Sequence, residues 1–312
     1  MDSQGHQKLI DSIDARTKLA GSNKMEILLF SLGNNEVFGI NVFKVREVSQ
    51  TPQITKAPNM PLGVEGVISL RGNIIPVIAL AKLIDAVDVP EASRETMIVT
   101  EYSRRTQGFL VHSVDRIIRV DWDKVKPPES MLAGNESLIT AITELPDGTL
   151  VSILDVEQIL ASAIGETPIP DLIPVETSAE VSVFFVDDSA VARKEIIMVM
   201  DKLGVKYQQA NNGLEAWDKL QGLANRATQD GIDLHEQVKL ILVDAEMPEM
   251  DGYVLTKNIK SDRRFDSIPV VMHSSLSSEA NKAMGKSVGV DAYVAKFDPL
   301  VLSETLRPLL LR

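Results

Sequence analysis

The chain of 312 residues has no cysteine, so disulfide staples are excluded and nothing opposes a reducing compartment. It has no run of eighteen apolar residues and no charged, apolar and small-residue leader, so neither membrane insertion nor export is expected and the cytoplasm is the expected location. Positive charge is in deficit: 32 Lys and Arg against 44 Asp and Glu leave a formal charge of -12. That balance argues against nucleic acid or an anionic lipid surface as a partner, because phosphate binding depends on concentrated Lys and Arg. Histidine is scarce and scattered. His235-Glu236 lacks the second histidine of a zinc helix, and His6, His112 and His273 stand alone, so no transition-metal site is supported. Residues Ala280 to Ser287 imitate a phosphate-binding loop, but they fall late in an expected helix and lead into a strand rather than opening a helix. Asn135-Glu136-Ser137 is a glycosylation sequon only on paper.

The length suffices for two domains of ordinary size, each with its own core. In the carboxyl-terminal half, the apolar run Leu240 to Val243 ends in Asp244 and opens Asp-Ala-Glu-Met-Pro-Glu-Met-Asp-Gly. Such a run reads as a buried parallel strand that delivers a carboxylate to the carboxyl edge of an α/β sheet, where these folds place their sites. An earlier buried strand, Val181 to Val186, ends in Asp187-Asp188, and a later one ends in Ala295-Lys296. Three acids and one lysine are thereby expected to converge. An Asp-Asp pair taken alone reads more plainly as a turn or a helix N-cap. The serines Ser274 and Ser275, after a strand expected over Ile268 to Met272, read plainly as a strand terminator.

From Val181 onward these motifs, in this order, resemble the receiver domain of two-component response regulators. The resemblance implies a flavodoxin-like α/β domain with a five-stranded parallel sheet. It also implies a phosphoacceptor at Asp244, Mg²⁺ held by Asp187, Asp188, Asp244 and the backbone carbonyl of Glu246, and a phosphate-sensing hydroxyl at Ser274. Asp188 would bind the ion directly and Asp187 through water. Lys296 would pair with the phosphoryl group and Tyr293 would be a switch aromatic. The chemistry has its own warrant. Three carboxylates a few ångströms apart repel one another, so one stays protonated or a cation neutralises the group. A hard, oxygen-seeking ion such as Mg²⁺ fits. Phosphoryl transfer to Asp244 then needs in-line positioning and charge neutralisation, which the ion and the Lys296 ammonium supply together. Two departures from the family stand out. Phe297 follows Lys296 where the family usually has a cis-proline, and residues 225–239 form a longer, more polar connection that implies a lengthened helix or a surface loop.

The amino-terminal half reads differently. Segments such as Glu26 to Ser31 and Val37 to Ile40 are rich in β-branched and alternating residues and are broken by Gly, Asn and Pro, which suggests small β-barrels. The run Gly63 to Ile78, with Ser-Leu-Arg-Gly-Asn-Ile-Ile-Pro-Val at its heart, is a glycine-punctuated hairpin with Arg71 at its tip. With Phe38-Gly39-Ile40, Val45 to Val48 and Leu150 to Asp155, it resembles the CheW family of chemotaxis coupling proteins, although Ala79-Leu80 stands where that family often has aspartate. The resemblance implies an all-β, SH3-like double barrel that bridges chemoreceptors and the histidine kinase CheA. Arg71 is the candidate contact, because a guanidinium offers five donors in a rigid fork. Val45 and Glu47 are expected near the same interface.

A CheW-like module followed by a receiver is the arrangement of the CheV family, which the chain resembles across most of its length. The boundaries expected are residues 1–24 as a helical segment with Leu9, Ile10 and Ile13 on one face, 25–165 as the coupling domain, 166–179 as a proline-rich semi-rigid linker, and 180–312 as the receiver. The resemblance implies a phosphorylation-regulated adaptor at chemoreceptor arrays, with CheA as phosphoryl donor. Two other readings stay open: a phosphate sink that competes for CheA phosphoryl groups, and a constitutive adaptor with an inert receiver. No further nucleophile, base or cofactor loop points to an enzyme, so the only turnover expected is self-hydrolysis of phosphoaspartate.

Overall fold

A computed structural model describes residues 24–84, 96–102, 105–126, 138–165, 169–176, 182–247, 249–275, 279–296 and 298–311. The expected helix over residues 1–24 lies outside them, apart from Lys24, which opens the first strand rather than closing a helix. The chain divides into two compact units, with the division along the sequence after residue 166.

The amino-terminal unit holds two five-stranded sheets. One orders its strands β8 (Ser113–Asp121), β1 (Lys24–Ser31), β2 (Val37–Asn41), β10 (Leu150–Leu154) and β9 (Ile139–Glu144). The other orders β3 (Val45–Gln50), β6 (Thr96–Tyr102), β7 (Arg105–Val111), β5 (Asn73–Ala79) and β4 (Val64–Leu70). Strand β1 is buried at six consecutive positions, and the period of two explains why. Met25, Ile27 and Leu29 face the core private to the first sheet, together with Trp122, Val151 and Ile153. Leu28 and Phe30 face a core shared with Ile78, Ile98 and Phe109 of the second. Strand β6 divides in the same way, with Ile98 in the shared core and Met97 and Val99 in a core private to the second sheet. Strands buried on both faces hold the two sheets together as one unit.

A one-turn helix α1 (Leu80–Leu83) follows β5, and helix α2 (Val156–Ile164) closes the unit. Helix α2 sets Val156, Ile159 and Leu160 into the shared core. Its cap is Asp155, whose carboxylate accepts from the Glu157 and Gln158 N–H groups at 3.0 Å each. Glu157 is buried and takes the Lys44 ammonium at 3.3 Å, which ties the helix to the 3-10 turn Val42–Lys44 between β2 and β3. Burial, reinforced by the neighbouring Glu157, holds the Asp155 carboxyl above its ordinary range.

The carboxyl-terminal unit is a parallel sheet ordered β12 (Lys206–Ala210), β11 (Ser182–Val186), β13 (Val238–Asp244), β14 (Val270–Ser274) and β15 (Ala292–Ala295). Helices α4 (Gly213–Asp230) and α5 (Gly252–Ser261) cover one face, while α3 (Ala190–Leu203) and α7 (Pro299–Leu310) cover the other. On β13, Ile241 and Val243 pack beneath the first pair of helices, and Leu240 and Leu242 beneath the second. This double burial is the physical source of its unbroken apolar run. Strand β14 begins at Val270 rather than Ile268: Pro269 has no N–H for a ladder, and the Val270 N–H goes to the Asp291 carboxylate at 2.8 Å.

Two sequence expectations are refined, and one holds. The polar stretch 225–239 lengthens α4 to Asp230, where Leu223, Ala224 and Ala227 extend the buried stripe, and then makes a 3-10 turn at Leu234–Glu236. The loop-like run ending at Ser287 lies within helix α6 (Glu279–Ser287). The stretch assigned as a spacer belongs in its described part to the carboxyl-terminal unit: Val175 is buried there, with Ile169 and Leu172 packed against the same core. Proline content signals stiffness but not whether a stiff segment finds a groove.

Because the folded state raises the Asp155 carboxyl, its contribution to stability is present at acid pH and lost as pH rises through the folded value. The expected outcome for Asp155→Asn, which retains a good cap, is a higher Tm than wild type at pH 7 and a difference that shrinks below pH 4. Calorimetry at the two pH values checks this.

Candidate functional site

The parallel ladder puts four strand ends on one edge. Strands β11 and β13 are neighbours, so Asp187 and Asp188, just past Val186, arrive beside Asp244. The nearest carboxylate oxygens of these three acids lie within 4.8 Å of one another. Lys296 follows β15, two strands away from β13, and its stem spans the intervening β14. Its Nζ lies 2.8 Å from Asp187 Oδ2 and 2.9 Å from Asp244 Oδ2. Asp187, Asp244 and Lys296 are all buried, and Asp188 is partly open to solvent. Sequence reasoning placed these four side chains together, and the structure brings them together.

Burial, with Asp187 and Asp188 adding to it, pushes the Asp244 carboxyl well above the usual carboxylate range, and the Lys296 ammonium opposes without cancelling the effect. One ammonium among three acids leaves surplus negative charge. A hard divalent cation fits this donor set, which consists of clustered carboxylate oxygens with one side toward solvent.

Ser274, at the last position of β14, is fully buried, and the Lys296 N–H donates to its carbonyl at 2.9 Å. Tyr293 on β15 is half-buried, with its hydroxyl in reach of the hydroxyls of Ser274 and Tyr253. Burial is the main reason that its phenol is pushed up to about 12, and the Glu246 carboxylate nearby adds to the effect. Glu246 lies in the loop after β13, two residues beyond Asp244. The peptide from Lys296 to Phe297 lies outside the described residues.

Several contributors escaped sequence reasoning. Arg193, in the first turn of α3, donates from Nη1 to the carbonyls of Asp187 and Asp188 at 2.9 Å each. Ser189 caps that helix, and its N–H donates to Asp187 Oδ1 at 3.0 Å. The plainer reading of the acid pair therefore also holds in part, since Asp187 helps to shape the helix start while facing the pocket. Tyr253, in the first turn of α5, packs with Ala245 and Met272. Gly252 allows that turn to close on β13: its N–H donates to the Ala245 carbonyl at 3.0 Å, and a Cβ there would sit 1.9 Å from the Asp244 carbonyl oxygen. The Asp-Gly pair in the motif was the available signal.

In the amino-terminal unit, Arg71 and Gly72 both have positive φ, 50° and 84°, and link β4 to β5 through the tight Leu70–Asn73 pair. This is the left-handed, two-residue turn favoured by hairpins. The Arg71 side chain is 77% exposed, and its Nη2 donates to Glu47 Oε2 on β3. The expectation for Val45 is corrected. It begins strand β3, is 1% exposed and lies in the shared core, so its apolar side chain is committed to packing and is not available to a partner.

Residues 26–163 match the CheW-like domain family, and residues 183–307 match the response regulator receiver domain family. The chain is 35% identical over 280 residues to chemotaxis protein CheV3 of Helicobacter pylori, a match that covers 88% of each protein. It is 31% identical over 148 residues to chemotaxis protein CheW of Klebsiella aerogenes, covering 47% of this chain and 88% of that one. To chemotaxis protein CheY1 of Helicobacter pylori it is 35% identical over 127 residues, covering 40% of this chain and 93% of the relative. Among the described residues, no helix is long and apolar enough to cross a membrane.

The backbone contact at Gly252 cannot be relieved by a side-chain rotation, so Gly252→Ala is expected to destabilise the carboxyl-terminal unit by about 3 kcal/mol, at the upper end of overpacking costs. Urea denaturation beside wild type measures the loss.

Proposed function

The chain belongs to the CheV family of chemotaxis proteins, and from that premise we propose a phosphorylation-regulated adaptor that couples chemoreceptors to the histidine kinase CheA. The carrying observation is the Lys296 ammonium seated between Asp187 and Asp244 at 2.8 and 2.9 Å, beside Asp188.

The phosphoacceptor is Asp244. One of its carboxylate oxygens attacks the phosphorus of the CheA phosphohistidine, an O–P bond forms as the P–N bond breaks, and the donor imidazole leaves with the electron pair and takes up a proton. Asp187, Asp188 and Asp244, with the backbone carbonyl of Glu246, would hold Mg²⁺, which neutralises the acids and the incoming phosphoryl oxygens. Burial that raises the Asp244 carboxyl works against attack, because only the ionised form is nucleophilic. Lys296 offsets part of that penalty and offers its ammonium to a phosphoryl oxygen. Arg193 holds the backbone carbonyls of both strand-end acids, and the Ser189 N–H orients the Asp187 carboxylate.

Ser274 is the hydroxyl poised to follow the phosphoryl group. Its proximity to the Tyr293 hydroxyl couples the pocket to the outer edge of the sheet, since a turn of Ser274 removes a partner of Tyr293. In the amino-terminal unit, Arg71, held against Glu47 on a tight turn and exposed, supplies the fork with which a coupling surface grips a partner carboxylate. An intact acid pocket with its lysine in place favours this reading over a constitutive adaptor with an inert receiver.

Labelled phosphotransfer from CheA is expected to reach wild type in Mg²⁺, to fall to background in EDTA, and to be absent in Asp244→Asn, while recruitment of that variant to receptor arrays persists. Label retained on Asp244→Asn would overturn the site. Kinase output per complex, compared between wild type and Asp244→Asn, distinguishes regulation from a phosphate sink, because a sink leaves that output unchanged.

A further inference from the structure

The two helices that begin at the acid pocket end on one and the same segment. Helix α3 starts directly after Asp187 and Asp188, with Ser189 as its cap, and ends at Leu203. Helix α7 starts at Pro299, shortly after Lys296, and carries Arg307 near its far end. Both hold residues 169–176. The Val175 N–H donates to the Leu203 carbonyl at 2.8 Å, which satisfies a carbonyl left open at the end of α3. From α7, Arg307 Nη1 donates to the Pro174 carbonyl at 3.1 Å and Nη2 donates to the Ile173 carbonyl. Lys202 on α3 pairs with Asp171 at 3.0 Å, an exposed contact of little energy.

The sequence of the segment matches this seat. Ile169, Leu172 and Val175 recur at every third residue, with Pro170 and Pro174 among them. Three residues per turn is the period of a polyproline helix, which places the three apolar side chains on one face and leaves the backbone carbonyls free for outside donors. Those three residues pack against the core built by α3, α7 and the sheet, whereas Ile173 between them is 75% exposed. The guanidinium of Arg307 takes two of the free carbonyls.

We propose that residues 169–176 form a strap that reports the state of Asp244 to the coupling unit, docked when the pocket carries no phosphate and loosened when Asp244 is phosphorylated. This rests on the phosphoacceptor reading above. A phosphoryl group gives Lys296 a new anionic partner, and any displacement of Lys296 is passed to the start of α7. From Pro299 to Arg307 a helix spans about 12 Å at 1.5 Å per residue, so it acts as a stiff lever. Its far end is held to the strap by hydrogen bonds that weaken steeply with distance and angle. Release frees eight residues, 169–176, which at about 3.1 Å per extended residue lengthen the tether between the two units by about 25 Å. Tether length sets the effective concentration at which one module meets whatever the other has bound.

Hydrogen exchange on the full-length protein in Mg²⁺, with and without beryllofluoride as the phosphoryl mimic, tests the strap. The expected result is a rise of about tenfold in exchange at the Val175 amide when the mimic binds wild type, and no rise in Asp244→Asn. Binding of the mimic without faster exchange at Val175 overturns the strap and leaves the phosphoacceptor intact. Failure of the mimic to bind overturns the phosphoacceptor reading, and the strap with it. In a second arm, Arg307→Ala should accept label from the phosphodonor at the wild-type rate, yet give kinase output in reconstituted arrays that no longer responds to the donor. A preserved response overturns the proposal.

Discussion

A buried ammonium held between two buried carboxylates organises the carboxyl-terminal unit. Charges removed from water are tolerated only when each has a partner, and removing one member of such a pair costs about 3–5 kcal/mol because the other is left unpaired. Lys296 meets this condition with Asp187 and Asp244 at 2.8 and 2.9 Å. Asp188 joins the cluster, so the electrostatics do not close: three acids face one base. Burial, with Asp187 and Asp188 adding to it, raises the Asp244 carboxyl, and the clustered oxygens form a donor set that fits a hard cation.

The surrounding architecture holds that imbalance in place. Strands β11 and β13, buried on both faces, leave their end residues little freedom, and Gly252 lets the next helix close against the Asp244 carbonyl. Arg193 and Ser189 secure the acid-bearing turn. The amino-terminal unit applies the same device to a different end: β1 and β6, apolar on both faces, join two sheets through a shared core, and the β4–β5 hairpin ends in an exposed arginine. In both units the functional groups stand where a rigid strand runs out.

The sequence revealed some of these features far better than others. Asp187, Asp188 and Asp244 could be found because a doubly buried strand writes itself as an apolar run whose polar end must lie at the sheet edge, and Lys296 because it follows a short strand that comes later in the same order. Arg71 could be found because Gly72 follows it between two apolar segments. Val45 was expected near the interface by its correspondence to family positions, and correspondence does not declare which side of a strand a residue occupies; here it joins the buried cluster that holds Leu28, Ile78 and Ile98. Arg193 and Tyr253 went unseen because their roles depend on where a first helical turn is aimed, which no periodicity encodes.

By itself the sequence determined the two-unit plan, the kind of secondary structure in each unit and the four residues of the acid pocket, because these follow from local periodicity and from where apolar runs stop. Only the tertiary structure decided that Lys296 reaches past β14 to both acids, that Glu47 meets Arg71, and that the proline-rich stretch lies against α3 and α7 instead of spanning free. The physical reason is common to all three: each is a contact between segments distant along the chain, and its existence depends on strand order and helix placement, which the residues at either end do not record.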